Sequence, residues 1–296
     1  MKLERELQVA TSLALQAGEV LWRHQSRQPK VEYRAKGEPV TLADIQADSI
    51  IRAGLNTAFP NDAVFSEESA DSHARLSCTR VWIVDPLDST NNFVELGNEY
   101  CVSIGLSIQG QAVLGVIYNP ARDELFTGYC GRGVLLNGSP VKASEVREVE
   151  KARISVSRKE WRRGIVMLST TLRIEPLSSM AYKLARVAAG MDDGVFSLTP
   201  RKEWGTCAGV ALVEAAGGRT SLLDGRRIAF NRFNLRQPLG MVAAGSQLHP
   251  LLVERVRDLS PAIWDECGGI CRKVDDPWTA IPTEQEDPTN EGRDGL

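Results

Sequence analysis

The chain predicts a mixed α/β (α+β) fold in which helices and sheets are layered in two lobes, on three observations. Apolar residues recur at helical spacing up to Ala58, they change to strand alternation from about Arg80 to Tyr129, and past about residue 150 short helical and strand patterns alternate. A length of 296 residues suits one compact, bilobed unit.

Taken in order, Leu3, Leu7, Ala10, Ala14, Ala17 and Leu21 mark an opening amphipathic helix. A second helix is expected from about Asp44 to Ala58, with Ile45, Ile50, Ile51 and Leu55 as its apolar face. Thr41 offers a hydroxyl near its start, and Pro60-Asn61-Asp62 stops it. Ala63 to Phe65 reads as a short strand. Arg80–Val84, Tyr100–Ile108, Ala112–Tyr118 and Glu124–Tyr129 follow as an antiparallel meander, broken at Gly110 and at Asn119-Pro120-Ala121-Arg122. The charged stretch Glu145 to Arg153 is the expected join, giving an amino-terminal α+β lobe over 1–150 and a carboxyl-terminal α/β lobe over 151–265. The second lobe is expected to hold a strand near Ile165–Ser169, a helix over Ser179–Ala189, a strand near Val195, a helix over Thr206–Ala216 and strands near Thr220–Leu223 and Met241–Ala244. Gly217-Gly218 closes the second of these helices. Residues 266–296, rich in Asp, Glu, Pro and Gly, are expected to form a mobile tail.

A net charge of −3 leaves no basic footprint for a nucleic-acid polymer, and no window reaches the ~18 apolar residues of a membrane span. A cytoplasmic protein with reduced cysteines is expected. The composition still allows a small phosphorylated metabolite as a partner, and a second copy in a homodimer. Such a ligand is compatible with the acidic total, because a bound metal supplies local positive charge. His24, His73 and His249 share no spacing and are expected at the surface.

The chemistry concentrates in Trp82-Ile83-Val84-Asp85-Pro86-Leu87-Asp88-Ser89-Thr90, where an apolar strand ends in two carboxylates around a proline. Hard cations take such oxygens, and the Leu87 carbonyl offers another. Pro86 prevents a plain strand from continuing, and the N–H groups of Ser89 and Thr90 would face a phosphate. Upstream, Phe65-Ser66-Glu67-Glu68-Ser69 again sets acids at a strand end. One of the two glutamates is expected to face the cation and the other the solvent.

Asp85-Pro86-Leu87-Asp88-Ser89-Thr90 resembles the Asp-Pro-x-Asp-Gly-Thr signature of the inositol monophosphatase superfamily, and Glu67-Glu68-Ser69 resembles its upstream acidic motif. Val40-Thr41-Leu42-Ala43-Asp44 is similar to its Val-Thr-x-x-Asp element, and Trp204 through Gly218 to its carboxyl-terminal box, so the resemblance spans roughly Val40 to Ala244. It implies a layered α/β/α/β/α sandwich of the inositol monophosphatase and fructose-1,6-bisphosphatase type. It also implies Mg²⁺-dependent phosphomonoester hydrolysis with two or three ions, for which Mn²⁺ can substitute. The metal ligands would be Glu67, Asp85, Leu87 and Asp88. Glu67 and Thr90 would position the attacking water, with Asp44 orienting the Thr90 hydroxyl.

Two positions depart from the pattern. Ser89 replaces the signature glycine, which a negative φ would accommodate, and Gly205 stands where a metal-binding aspartate is expected after Trp204. Glu203 could compensate only if the preceding loop is rearranged. Gly205 therefore leaves a weak or inactive member as an alternative. For the substrate, Pro200-Arg201-Lys202-Glu203-Trp204 and Ser157-Arg158 resemble the 3'(2'),5'-bisphosphate nucleotidase branch, which favours such a nucleotide. The runner-up is an inositol or sugar monophosphate, as Gly115-Val116-Ile117-Tyr118-Asn119-Pro120 suggests. Asp88, Ser89, Thr90, Ser157, Lys183, Arg201 and Glu203 are the expected substrate contacts. Arg158 and Lys202 are further cation candidates, and Trp161, Tyr182 and Trp204 are candidates for stacking on a base.

Overall fold

The computed structural model describes residues 2–27, 31–33, 39–71, 73–162 and 172–266, with side chains to residue 257. Two long helices come first, α1 (Glu4–Gln25) and α2 (Leu42–Ala58), separated by a hairpin of β1 (Val31–Tyr33) and β2 (Pro39–Thr41). A seven-stranded sheet then runs in chain order: β3 (Ala63–Ser66), β4 (Arg80–Asp88), β5 (Cys101–Ile108), β6 (Gln111–Asn119), β7 (Glu124–Tyr129), β8 (Gly133–Leu136) and β9 (Ser139–Val141). From β4 to β7 it is the antiparallel meander expected, β8 and β9 extend it beyond what was anticipated, and β3 lies parallel to β4. The short helix α3 (Thr90–Val94) interrupts it between β4 and β5.

The second sheet has five strands, β10 (Arg153–Ser157), β11 (Arg173–Leu177), β12 (Gly194–Ser197), β13 (Gly218–Leu222) and β14 (Met241–Gly245), in the order β11-β10-β12-β14-β13. Its helices are α4 (Arg158–Arg162), α5 (Met180–Ala188), α6 (Cys207–Ala215) and α7 (Leu248–Glu266). Strand β10 begins at Arg153, after a 3-10 turn over Val149–Lys151, so the expected join ends earlier than its composition suggests. The strand expected near 165–169 and the expected tail beyond 266 lie outside the described residues. Strands β10 and β11 and helix α7 were not anticipated, although Leu248, Leu252 and Val256 recur at helical spacing and are buried.

Alternation along β4 explains the layering. Trp82 and Val84 join the core under α1 and α2, whereas Val81 and Ile83 join the core built on α5 and α6. That second core continues into Val195, Leu222, Met241 and Ala243 of the five-stranded sheet. The outer face of the same sheet, through Ile154, Phe196, Val242 and Ala244, packs on Leu248, Leu252 and Val256 of α7. The order is therefore helix pair, seven-stranded sheet, α5 and α6, five-stranded sheet, α7, which is the α/β/α/β/α arrangement expected. The middle helix α6 lies flush on the larger sheet because the strands offer glycine there. A Cβ on Gly115 would stand 2.1 Å from the Ala208 carbonyl oxygen, and one on Gly105 would stand 2.7 Å from the Ala208 nitrogen.

Candidate active site

Strand β4 does not end at Pro86. It continues to Asp88 through a bulge, since Asp85 pairs with Ser103 and Asp88 with Cys101, leaving Pro86 and Leu87 opposite the single residue Val102. The extra residue lets Pro86, which has no N–H, sit where no ladder bond is required. It also turns both aspartates toward the same end of the sheet.

Beyond the bulge Ser89 adopts φ 82° and ψ 53°, the left-handed region, and the expectation of a negative φ is corrected. The chain must reverse there to enter α3, which is the work the signature glycine does without steric cost. A serine in this region is strained by roughly 1–2 kcal/mol.

Asp44 arrives from the other side of the site. Thr41 caps α2, its hydroxyl accepting from the Ala43 N–H at 3.2 Å, and Asp44 closes a capping box by accepting from the Thr41 N–H at 2.7 Å and the Thr41 hydroxyl at 2.6 Å. The second carboxylate oxygen of Asp44 accepts from the Thr90 hydroxyl at 3.2 Å. Helix capping thus fixes the group that orients Thr90. Burial pushes the Asp44 pKa up, against the hydrogen bonds from Thr41 and Thr90 that favour its charged form.

Glu67 follows β3, its N–H donating to the Val84 carbonyl at 3.2 Å, so it stands beside the strand that carries Asp85. Asp85 is buried and accepts from the Leu87 N–H at 3.2 Å. Burial pushes its pKa well up, and the charges of Glu67, Asp88, Asp44 and Glu68 push it in the same direction. Glu67 and Glu68 are both half-buried.

Asp88 makes a contact that sequence reasoning missed. Its carboxylate accepts from the Ser179 hydroxyl at 2.6 Å and the Ala181 N–H at 2.7 Å, at the first turn of α5. The only sequence signal for this was Ser179 at the start of the expected helix.

Of the expected substrate contacts, Asp88, Ser89 and Thr90 gather here with Asp44, Asp85 and Glu67, and the others are engaged elsewhere. The Ser157 hydroxyl donates to Glu160 at 2.6 Å. Arg201 donates to Glu160 at 2.7 Å and to the Ser197 hydroxyl at 2.6 Å. Lys183, fully buried, donates to the carbonyls of Leu177 and Ser178 at 3.0 and 3.2 Å, and burial followed by Arg201 lowers its pKa to about 8. Glu203 turns into the protein and accepts from the N–H groups of Asn231 and Arg232 at 2.8 and 3.0 Å. Arg158 forms a bidentate pair with Glu99. Among the stacking candidates, Tyr182 is a core side chain whose hydroxyl donates to Glu124 at 2.6 Å, and Trp161 packs partly buried against the core under α7. Trp204 packs on Phe65 and carries the Lys202 ammonium 4.4 Å over its ring. His249 is buried, not at the surface.

The donor set suits a hard divalent cation: carboxylates, a strand-end carbonyl, and acids close enough to raise the proton affinity of Asp85. Among the described residues, no three acidic, His or Cys side chains form a finished cage, and one of the two Asp88 oxygens, Oδ2, takes both bonds from α5. Gly205 explains part of the gap. A Cβ built there meets only Asp85 Oδ2, at 3.9 Å, so an aspartate at this position would lean into the same cluster.

The model of the inositol monophosphatase family matches residues 2–261. The chain belongs to this family. Inositol monophosphatase family members are metal-dependent phosphomonoesterases, typically using Mg²⁺. This member is 36% identical over 228 residues to inositol monophosphatase 3 of Solanum lycopersicum, a match covering 73% of this chain and 85% of that one. It is 33% identical over 218 residues to a histidinol-phosphatase of Chlorobaculum parvum, covering 73% and 75%. The Thermotoga maritima inositol monophosphatase superposes with a TM-score of 0.77 at 26% identity, over 88% of this chain and 99% of that one. No helix among the described residues is long and apolar enough to cross a membrane.

Proposed function

We propose that this chain hydrolyses a small phosphate monoester of the inositol or sugar type, using Mg²⁺, with Mn²⁺ able to substitute. The observation that carries this reading is the meeting of Asp44, Thr90, Asp85 and the Glu67 strand end at one end of the larger sheet. A divalent cation held by Glu67, Asp85, the Leu87 carbonyl and Asp88 would supply Lewis acidity toward the phosphoryl group.

The chain's own residues do the rest. The Thr90 hydroxyl lies within hydrogen-bond distance of Asp44 at 3.2 Å and of the Leu87 carbonyl at 3.3 Å; with its proton on Asp44, its oxygen would accept from an attacking water. Glu67, at the adjacent strand end, is assigned the proton that this water gives up as it attacks in line. Buried Asp44 fixes the direction of the relay.

The bisphosphorylated nucleotide is the second reading, favoured by the Pro-x-x-Glu-Trp spacing at Pro200 to Trp204. A second phosphate needs cations, and Arg158, Lys183 and Arg201 are already satisfied by Glu99, by backbone carbonyls and by Glu160. That weighs toward a monophosphate. A phosphate-release panel of inositol 1-phosphate, a hexose phosphate, histidinol phosphate and adenosine 3',5'-bisphosphate, each with Mg²⁺ and with Mn²⁺, tests the assignment. Release should be greatest from the inositol or sugar ester, and Asp85→Ala should abolish it with unchanged circular dichroism. Release from none of the esters, or full activity in Asp85→Ala, would overturn the proposal.

A further inference from the structure

Far along the fold from the acidic cluster, an open cavity of about 440 Å³ lies over β13, the edge strand of the smaller sheet. Arg219, Thr220 and Ser221 of β13, Arg227 of the following turn, Glu214 of α6 and His249 of α7 line it. Its charges are unbalanced. The one acid among these, Glu214, already accepts from the Thr220 hydroxyl at 2.7 Å. Among the described residues neither Arg219 nor Arg227 has a carboxylate within ion-pair distance, although neighbouring Arg226 is paired with Asp224. The Arg257 guanidinium stands 4.0 Å from the Cβ position of Gly225, adding positive charge at the rim. Helix α7 enters the cavity wall with no acidic residue in its first turn.

The floor is built rather than incidental. His249 and Ser221 are both more than nine-tenths buried, and the Ser221 hydroxyl lies 3.1 Å from His249 Nε2. Either atom of this pair can donate, according to which ring nitrogen carries the proton. Burial, and after it Arg219, lower the proton affinity of the ring.

We propose that this cavity is a second binding site, for a small phosphate-bearing anion, held by Arg219 and Arg227 above the buried Ser221 and His249. Two exposed guanidinium groups beside an edge strand form such a site. A volume near 440 Å³ admits a phosphorylated sugar as well as free phosphate.

The test uses the full chain in EDTA, which keeps cation-assisted binding out of the acidic cluster, with inorganic phosphate and glucose 6-phosphate as separate titrants in calorimetry. Saturable binding is expected, weakened about tenfold or more in Arg219→Ser/Arg227→Ser. The stronger titrant shows whether free phosphate or an ester is preferred, and either order supports the site. Binding that is absent, or unchanged in the double variant, overturns it. Catalytic turnover with Mg²⁺ in phosphate-free buffer should be the same in parent and double variant, which separates this result from the catalytic assignment.

Discussion

Ser89 holds a left-handed backbone in the middle of the family signature, and the strain is local and removable. Ser89→Gly is expected to stabilise the fold by about 1 kcal/mol, seen as a higher denaturation midpoint at unchanged slope. An unchanged midpoint would mean that the Ser89 side chain makes up for its backbone angle. Gly205 has the opposite character, an open position beside a crowded acid. Gly205→Asp brings another carboxylate toward Asp85, so its effect should change sign with metal. Without Mg²⁺ the variant should melt about 2–4 °C lower than the parent, and with saturating Mg²⁺ it should melt higher and release phosphate faster. Equal shifts in both conditions would show that the position does not face the cation.

At the scale of elements, Glu203 ties the loop before α6 to the backbone of Asn231 and Arg232. Burial raises its pKa from 4.5 to about 7, although both N–H donors and Arg75 favour the charge. A carboxyl whose folded pKa lies above its unfolded one contributes most stability below the unfolded value, and that contribution is lost as pH rises through the folded value. Relative to Glu203→Gln, the parent should therefore lose stability between pH 5 and 8 in denaturant unfolding. A flat difference would place the folded pKa near its ordinary value.

The same elements show what was legible in the chain. Periodicity located α1, α2, α5, α6 and the meander within a few residues, because each buries one continuous apolar face. Strand β10 was hidden because it alternates Ile154 and Val156 with buried Ser155 and Ser157, so polar residues sit where apolar ones would have signalled a strand. Within the acidic cluster, the motif named Asp44, Glu67, Asp85, Asp88 and Thr90, and their convergence is a product of the fold. The engagement of Arg201 and Lys183 by lobe-two partners could not be read from spacing. Glu160 lies forty-one residues before Arg201, and the carbonyls that hold Lys183 carry no sequence signature at all.

Across the whole molecule, α5 and α6 serve both sheets, so the halves of the chain share a core instead of meeting at a polar seam. Unfolding should therefore be a single cooperative transition. Gly115→Ala, which forces a methyl group against the α6 backbone, should destabilise both halves together, by about 3 kcal/mol. Fluorescence, which follows the tryptophans of both halves, and far-ultraviolet dichroism should move to the same lower midpoint. Separate midpoints would show that the two sheets come apart independently.

Asp88 and the buried middle layer clamp β4 and α5 to one another, so this wall of the cluster moves as one piece. Room for one alcohol rather than another must come from the side chains and turns at its margin. Discrimination among esters is then a property of a few replaceable residues there, and exchanging them should retune preference while the rest of the architecture stays as it is.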